Sequence, residues 1–446
     1  MAPSKEVSSF NLPLNHSLAQ DTLSPQAHNH SPYNSSKIVN MHILLIHQAF
    51  AALDDPGGTR HHELARHLVS LGHQVTIIAS PVSYLTGTSA RRTRWAEKQL
   101  DDLGVVIIRS YTLPALHRSF VWRVVSFLSF MFSSFFNGLG VRRVDLVWGT
   151  SPPIFQGFTA WLLARLKGVP FLFEVRDLWP AFAIAVGVLK NPLLIRLSSW
   201  LERFLYKHAD RVVVNSPGYI EHVKSHGARN ITLIPNGADP NMFDPNAKGS
   251  AFRSENHLED KFVVLYAGAH GMSNDLGVVL DAAEILHDQP TLCFVLLGDG
   301  KEKNNLIASA TQRGLDNVLF LPPLPKNKIA PALAAADACL AILKPIELYK
   351  TTYPNKVFDY MAAGRPVLLV IDGVIRQVVE EAGAGISTPP GDPHSLAAAV
   401  RQMMSNPVAC RQMGSAGRKY IEQNYARTQI ANQFNKLLES MRRKNG

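Results

Sequence analysis

The run Tyr353-Pro354-Asn355-Lys356-Val357-Phe358-Asp359 assembles the residue types that an anion site needs. Pro354 presets a helix start, where unpaired N–H groups and the helix dipole favour negative charge. Lys356 adds an ammonium, so Lys356, Asn355 and the first amides of the helix are expected to hold a diphosphate. Asp359, three residues further along the same face, is placed to accept hydrogen bonds from ribose hydroxyls. An exposed Lys356–Asp359 ion pair would look the same in sequence. Two glycine loops each follow an apolar run: Gly268-Ala269-His270-Gly271 after Leu265-Tyr266-Ala267, and Gly298-Asp299-Gly300 after Phe294-Val295-Leu296-Leu297. Neither has the dinucleotide spacing Gly-x-Gly-x-x-Gly or the P-loop pattern. A third loop, Asp55-Pro56-Gly57-Gly58-Thr59, opens a helix and is followed by Arg60. It allows close backbone approach to an anion, although an ordinary strand-to-helix turn has the same composition. His61 and His62 point about 100° apart on a helix and are not expected to share a metal ion. His61 is expected to face a cleft or solvent.

Loops of this kind bind ligands when parallel strands hold them at their carboxyl ends. The chain supplies such strands. His42–His47, Val75–Ala79, Val105–Arg109, Leu146–Gly149, Phe171–Val175 and Val212–Asn215 are short apolar runs separated by helix-sized segments. After a polar stretch read as a linker, Asn246–Asp260, a second series follows: Phe262–Ala267, Cys293–Leu297, Val318–Leu321, Ala338–Leu343, Val367–Val370 and Gly385–Ser387. This alternation predicts α/β architecture with two doubly wound domains in tandem. The boundaries read as 41–248 and 249–425. A terminal segment, 426–446, carries a helix over about Ile430–Arg443 that can pack on either domain. Residues 1–40 are rich in Ser, Asn, His and Pro and read as a disordered leader, not a signal peptide.

Hydrophobic residues make up 46% of the 446 and charged residues 18%, which excludes a disordered chain and disfavours a coiled coil. Cys293, Cys339 and Cys410 are far apart, which excludes a disulfide scaffold or zinc ribbon and fits a reducing, cytoplasmic setting. The net charge is +10, of which +8 falls in residues 41–248. The first half is therefore expected to meet an anionic surface or phosphates. No nucleic-acid signature is present, so no nucleic-acid partner is expected. Between Arg123 and Arg142 lie 18 uncharged residues, five of them Phe. Phe120–Val141 is read as a helix lying in a membrane interface or, equally, as a buried helix.

Five stretches together resemble a family 4 glycosyltransferase of the two-domain GT-B fold. They are Pro56-Gly57-Gly58-Thr59-Arg60-His61-His62-Glu63-Leu64-Ala65-Arg66, Glu174-Val175-Arg176-Asp177-Leu178-Trp179-Pro180, Ile234-Pro235-Asn236-Gly237-Ala238-Asp239, Leu297-Gly298-Asp299-Gly300 and Pro354–Val367. The resemblance spans about Met41–Tyr425 and is greatest to the branch that includes N-acetyl-L-fucosamine transferases of surface polysaccharide assembly. It implies two Rossmann-like domains with an interdomain cleft, a nucleotide-diphosphate sugar in the second domain and a glycan or lipid-linked acceptor in the first. It also implies retention of anomeric configuration and neither cofactor nor catalytic metal.

On the matched positions, the resemblance assigns donor contacts to Gly268, Gly298, Asp299, Thr351, Thr352, Asn355, Lys356 and Asp359. Acceptor contacts are expected at Gly57, Gly58, Arg60, Glu174 and Arg176, and the residue chemistry itself suggests catalytic roles for Asp177, Lys356 and His270. The family's donor element is Glu, seven residues, then Glu. Here Thr351 stands at the first position and Asp359 at the second. The family's Arg and Lys after the first strand of the second domain are absent, which leaves Lys356 as the main cation beside His270. A Glu common after Trp-Pro is Ala181 here, leaving Glu174 and Asp177 as the acidic candidates. The expected enzyme is a metal-independent hexosyl- or N-acetylaminosugar transferase, cytoplasmic and peripheral on the membrane's cytoplasmic face. The alternatives are a nucleotide-sugar 2-epimerase of the same fold and a non-catalytic membrane scaffold.

Overall fold

The computed structural model describes residues 40–83, 87, 89, 94–115 and 120–442. Except for Asn40, the expected leader lies outside them. The first lobe is built on strands β1 (His42–His47), β2 (Gln74–Ala79), β3 (Ala96–Leu100), β4 (Val106–Ser110), β5 (Leu146–Ser151), β6 (Phe171–Val175), β7 (Arg211–Val214) and β8 (Ile231–Leu233). They lie in the order β3-β4-β2-β1-β5-β6-β7-β8. The pairings are parallel except that β3 runs antiparallel to β4. Every residue of β5 and β6 is buried, because helices cover both faces of the sheet. That double cover is why these strands read as continuous apolar runs. By contrast β3 (Ala-Glu-Lys-Gln-Leu) alternates exposed and half-buried residues. It is a charged edge strand, and it has no apolar run to reveal it.

The second lobe carries β9 (Phe262–Ala267), β10 (Leu292–Leu297), β11 (Val318–Leu321), β12 (Ala338–Ile342), β13 (Val367–Val370) and β14 (Gly385–Ser387), all parallel in the order β11-β10-β9-β12-β13-β14. In each sheet the strand order reverses beside its first strand, between β1 and β5 and between β9 and β12. The loops after β1 and β9 therefore open at the switch points where doubly wound sheets hold ligands. The stretch Asn246–Asp260 is more than a linker. It contains the helix Ser250–Glu255, and Phe252 and Leu258 sit in the core of the second lobe.

Two helix layers enclose the first sheet. The helices Phe120–Gly140, Phe155–Lys167 and Pro192–His208 lie side by side on one face. The last begins at Asn191, whose side chain accepts from the Leu193 and Leu194 amides, with Pro192 at the first helical position. The other face carries Arg60–Ser70 and, from the far end of the sequence, Arg427–Met441. Phe434 packs its ring 4.7 Å from that of Trp148 on β5. Ile430, Ala431 and Leu438 are buried with it among β1 and β2 side chains.

The helix Phe120–Gly140 has two distinct faces. Ser126, Phe127, Phe130, Ser133 and Ser134 are buried. The Ser126 and Ser133 hydroxyls donate to the Leu113 and Tyr111 carbonyls. Val121, Val125, Leu128, Phe132, Phe136 and Leu139 are exposed at helical spacing. No helix among the described residues is long and apolar enough to cross a membrane.

Candidate active site

The helix Asn355–Ala362 starts at Pro354. Its first turn sits where the two lobes meet. Just upstream, the Thr351 carbonyl accepts from the Ser216 hydroxyl at 2.6 Å, and the Tyr353 carbonyl accepts from the Asn236 side chain at 2.7 Å. Across the same seam Phe182 and Tyr349 stack with ring centres 5.3 Å apart. The Asn327 amide donates to the Leu53 carbonyl at 3.2 Å.

Lys356 runs inward from this helix. Its Nζ is buried, lies 3.8 Å from the centre of the Tyr266 ring and has no hydrogen-bond acceptor among the described residues. Burial pushes its ammonium down to about 7. A Cβ at Gly268 would come within 2.6 Å of that Nζ, so glycine is what lets the lysine lie against the backbone of the β9 loop. The two glycine loops also interlock. The Gly268 amide donates to the Leu297 carbonyl and the His270 amide to the Asp299 carbonyl, at 3.0 and 2.8 Å. A side chain at Gly298 would collide with the Gly268 carbonyl. Asp299 turns its carboxylate back to the Gly300 amide at 2.8 Å.

His270 is fully buried, and both ring nitrogens lack partners among the described residues. Burial, with Lys303 and Lys356 nearby, pushes the imidazole down to about 4. At neutral pH it offers an uncharged N–H and not a second cation. Lys303 donates to the Gly298 and Leu321 carbonyls at 2.8 and 3.0 Å, tying two strand ends together.

Several residues singled out in the sequence are placed differently from expectation. Asp359 pairs with Lys326 at 2.5 Å, and the Asn355 side-chain amide lies 3.4 Å away. Burial raises its carboxyl, and Lys326 partly opposes that rise. One Asp359 oxygen and the Asn355 amide oxygen are buried and have no partner among the described residues. Thr351 and Thr352 do not present hydroxyls to a donor. Each donates to a carbonyl three residues back, Leu348 at 2.6 Å and Tyr349 at 2.8 Å, closing the turn Glu347–Thr351. Lys326 and Lys303 were missed in the sequence. Their only signal was position, each just beyond a strand end.

In the first lobe, Arg60 and Glu174 are interior groups and not acceptor contacts. Arg60 Nε donates to Glu174 at 2.9 Å, while its terminal nitrogens donate to the Pro235 and Ile234 carbonyls at 2.6 and 2.7 Å. The second Glu174 oxygen takes His61 Nε2 at 2.7 Å and Trp148 Nε1 at 3.1 Å. Burial would raise the Glu174 carboxyl, but His61 and Arg60 hold it far below the usual carboxylate range. His61 is therefore enclosed, not turned to solvent, and burial pushes it down to about 4. His62 bonds separately to Asp101 at 3.0 Å.

The Gly57–Gly58 loop does meet Arg176. A Cβ on Gly58 would lie 3.5 Å from the guanidinium, which also contacts His47 at 3.1 Å. Asp177 follows, open to solvent yet crowded by protein, and this crowding pushes its carboxyl up to about 6. Its charge is felt by Tyr219 in its own lobe and by Tyr349 across the seam.

The seam between the lobes thus has a buried cation, a helix start and two glycine loops in one lobe and an Arg176–Asp177 corner in the other. Comparison with known proteins agrees with this division. The family model "Glycosyl transferase 4-like domain" matches residues 57–237, and "Glycosyl transferases group 1" matches 248–420. The colanic acid biosynthesis glycosyl transferase WcaI of Escherichia coli K12 is 26% identical, over 83% of this chain and 93% of its own. The glycosyltransferase WbjE of Pseudomonas aeruginosa is 26% identical, over 64% and 72%. Among solved structures, sucrose-phosphate synthase of Thermosynechococcus elongatus superposes with a TM-score of 0.71 at 19% identity, over 90% of this chain and 99% of its own. HepE of Anabaena, in complex with UDP, gives 0.67 at 18%, over 90% and 100%. Two lobes, two matching family models and one shared cleft lead to a single assignment: the chain belongs to the glycosyltransferases of the GT-B fold.

Proposed function

We propose that the chain transfers a hexosyl or N-acetylaminosugar unit, with retention, from a nucleotide-diphosphate sugar to a lipid-linked or glycan acceptor of a surface polysaccharide. WcaI and WbjE support the polysaccharide setting, and the motif resemblance supports an N-acetyl-L-fucosamine-type donor. The observation that carries the reading is the buried Lys356 ammonium, which has no hydrogen-bond acceptor among the described residues and lies beside Gly268 and the start of the helix Asn355–Ala362. A diphosphate supplies the acceptor it lacks. As the glycosyl–phosphate bond breaks, the leaving oxygen gains charge, and Lys356, the helix amides and a neutral His270 N–H stabilise it. The acceptor hydroxyl attacks the sugar from the leaving group's side and passes its proton to the departing phosphate oxygen. Asp177 orients the acceptor or a sugar hydroxyl, with Gly57, Gly58 and Arg176 beside it. No step uses a metal.

Calorimetry with UDP, the nucleotide held by HepE, tests the lysine. Lys356→Ala should weaken binding about ten- to a hundredfold, the worth of a charge-assisted hydrogen bond. In the wild type, affinity should fall as pH rises above 7, because the empty site then loses a proton that the bound state keeps. Unchanged affinity in the variant for UDP, GDP and dTDP alike would refute the donor site. Incubation with donor alone separates an epimerase, which alters it.

The basic first lobe also bears on location. We place its outer helix layer on an anionic membrane surface. The exposed stripe Val121–Leu139 is joined by a second on the helix Pro192–His208, where Leu193, Leu197 and Trp200 are exposed between Arg196, Arg203 and Lys207. Apolar residues interleaved with cations suit an interface-lying helix.

A further inference from the structure

We propose that Glu202, His222 and His226 form a binding site for a zinc-class divalent cation, outside the glycosyl-transfer cleft. Glu202 projects from the helix Pro192–His208. His222 lies on the short helix Ile220–Ser225, and His226 directly follows it. The two histidines are four residues apart and therefore share one helix face. Their rings stack with centres 4.0 Å apart and planes inclined by 15°. One ligand atom from each of the three residues lies within 4.8 Å of the others. Tetrahedral zinc ligands at about 2.0–2.2 Å from the metal lie slightly over 3 Å apart, so small side-chain rotations close the set.

The local hydrogen bonds prepare these atoms. His226 Nδ1 lies 2.8 Å from the His222 carbonyl, which can only accept. Nδ1 therefore carries the proton, and Nε2 presents a lone pair, the arrangement that orients ligating histidines. Glu202 is almost wholly buried. It accepts from the Tyr206 hydroxyl at 3.1 Å and contacts His222 Nε2 at 2.8 Å. A cation entering here replaces the His222–Glu202 hydrogen bond, the His222 ring proton moving from Nε2 to Nδ1 to free a lone pair, while Tyr206 goes on holding the carboxylate. Two imidazoles and one carboxylate favour zinc over magnesium or calcium, which prefer oxygen ligands. His222 and His226 are half-buried, which leaves the fourth position open to water.

The site's place in the lobe gives it a consequence. The short helix continues directly from the turn Pro217–Tyr219. Gly218 in that turn lies so close to Thr351 that a Cβ would come within 2.5 Å of the Thr351 oxygen. A bound cation would anchor this turn to the helix Pro192–His208 and steady the first lobe's side of the seam.

The test is cobalt(II) titration of the chelator-treated full chain, followed by its visible absorption, with zinc displacement and melting curves. The expected result is a tetrahedral cobalt band at one equivalent, displaced by zinc, with a zinc-dependent rise in melting temperature. His226→Ala and Glu202→Gln should each weaken the cobalt band's midpoint about tenfold or more. His226→Ala must melt like the wild type without metal. If it does not, His226→Asn or His222→Asn takes its place. No band in the wild type, or the same band in wild type and variants, overturns the proposal. Cobalt uptake common to all of them marks histidines elsewhere.

Discussion

Asp177 and Lys356 both titrate near neutrality, for the same physical reason and in opposite senses. Surrounding protein disfavours the charged form, which lifts the solvent-open acid to about 6 and lowers the buried base to about 7. If ionised Asp177 positions a hydroxyl, kcat/KM should decline as pH drops through 6, and Asp177→Asn should lose that acidic limb along with most activity. A pH–rate profile that keeps the limb in Asp177→Asn would remove Asp177 from the mechanism. Glu174 differs because its charge is fully compensated. With its carboxyl held below the unfolded value of about 4.3, it contributes stability that is present above that pH and lost as pH falls below it. Glu174→Ala strands a buried arginine and should cost about 3–5 kcal/mol in denaturant unfolding. Sequence could name Lys356, Asp177 and Glu174 but could not tell a cleft residue from an interior one. Glu174 and Asp177 are three positions apart, yet one lies within a buried strand and the other in the loop beyond it.

At the level of elements, most of the twelve strands found from sequence are largely buried, and the apolar run shows; β11 and β14 are half-buried edge strands that were still found, because no charged residue interrupts them. The two missed, β3 and β8, are edge or near-edge pieces with charged or half-exposed residues. The helix Ser250–Glu255 was hidden the same way, because a single Phe252 anchors it in an otherwise polar segment. The glycine loops were legible as loops. Their interlocking was not, because it depends on two strand ends lying side by side. That contact is testable. Gly298→Ala places a methyl against the Gly268 carbonyl at a φ of +154°. It should cost about 1–3 kcal/mol, as overpacking does, and should weaken nucleotide binding. Gly277→Ala, in open space on a helix, is the matched control and should leave binding unchanged while raising stability by about 0.5–1 kcal/mol.

For the whole molecule, docking through the outer helix layer orients the chain as well as localising it. The chain should sediment with vesicles of anionic phospholipid and less well with neutral ones, and salt should weaken the association. Phe132→Ser combined with Trp200→Ser should reduce it strongly without altering UDP affinity. Equal sedimentation of the variant would remove the membrane from the account. The helix Arg427–Met441 has a different consequence. It fills the hydrophobic face of the first sheet, yet it is made about 200 residues after β8. At about 5–20 residues per second, the ribosome leaves that face uncovered for on the order of ten seconds or more. The half of the protein translated first is thus the half finished last, and nascent chains stalled before Arg427 should stay bound to chaperones until those final turns emerge.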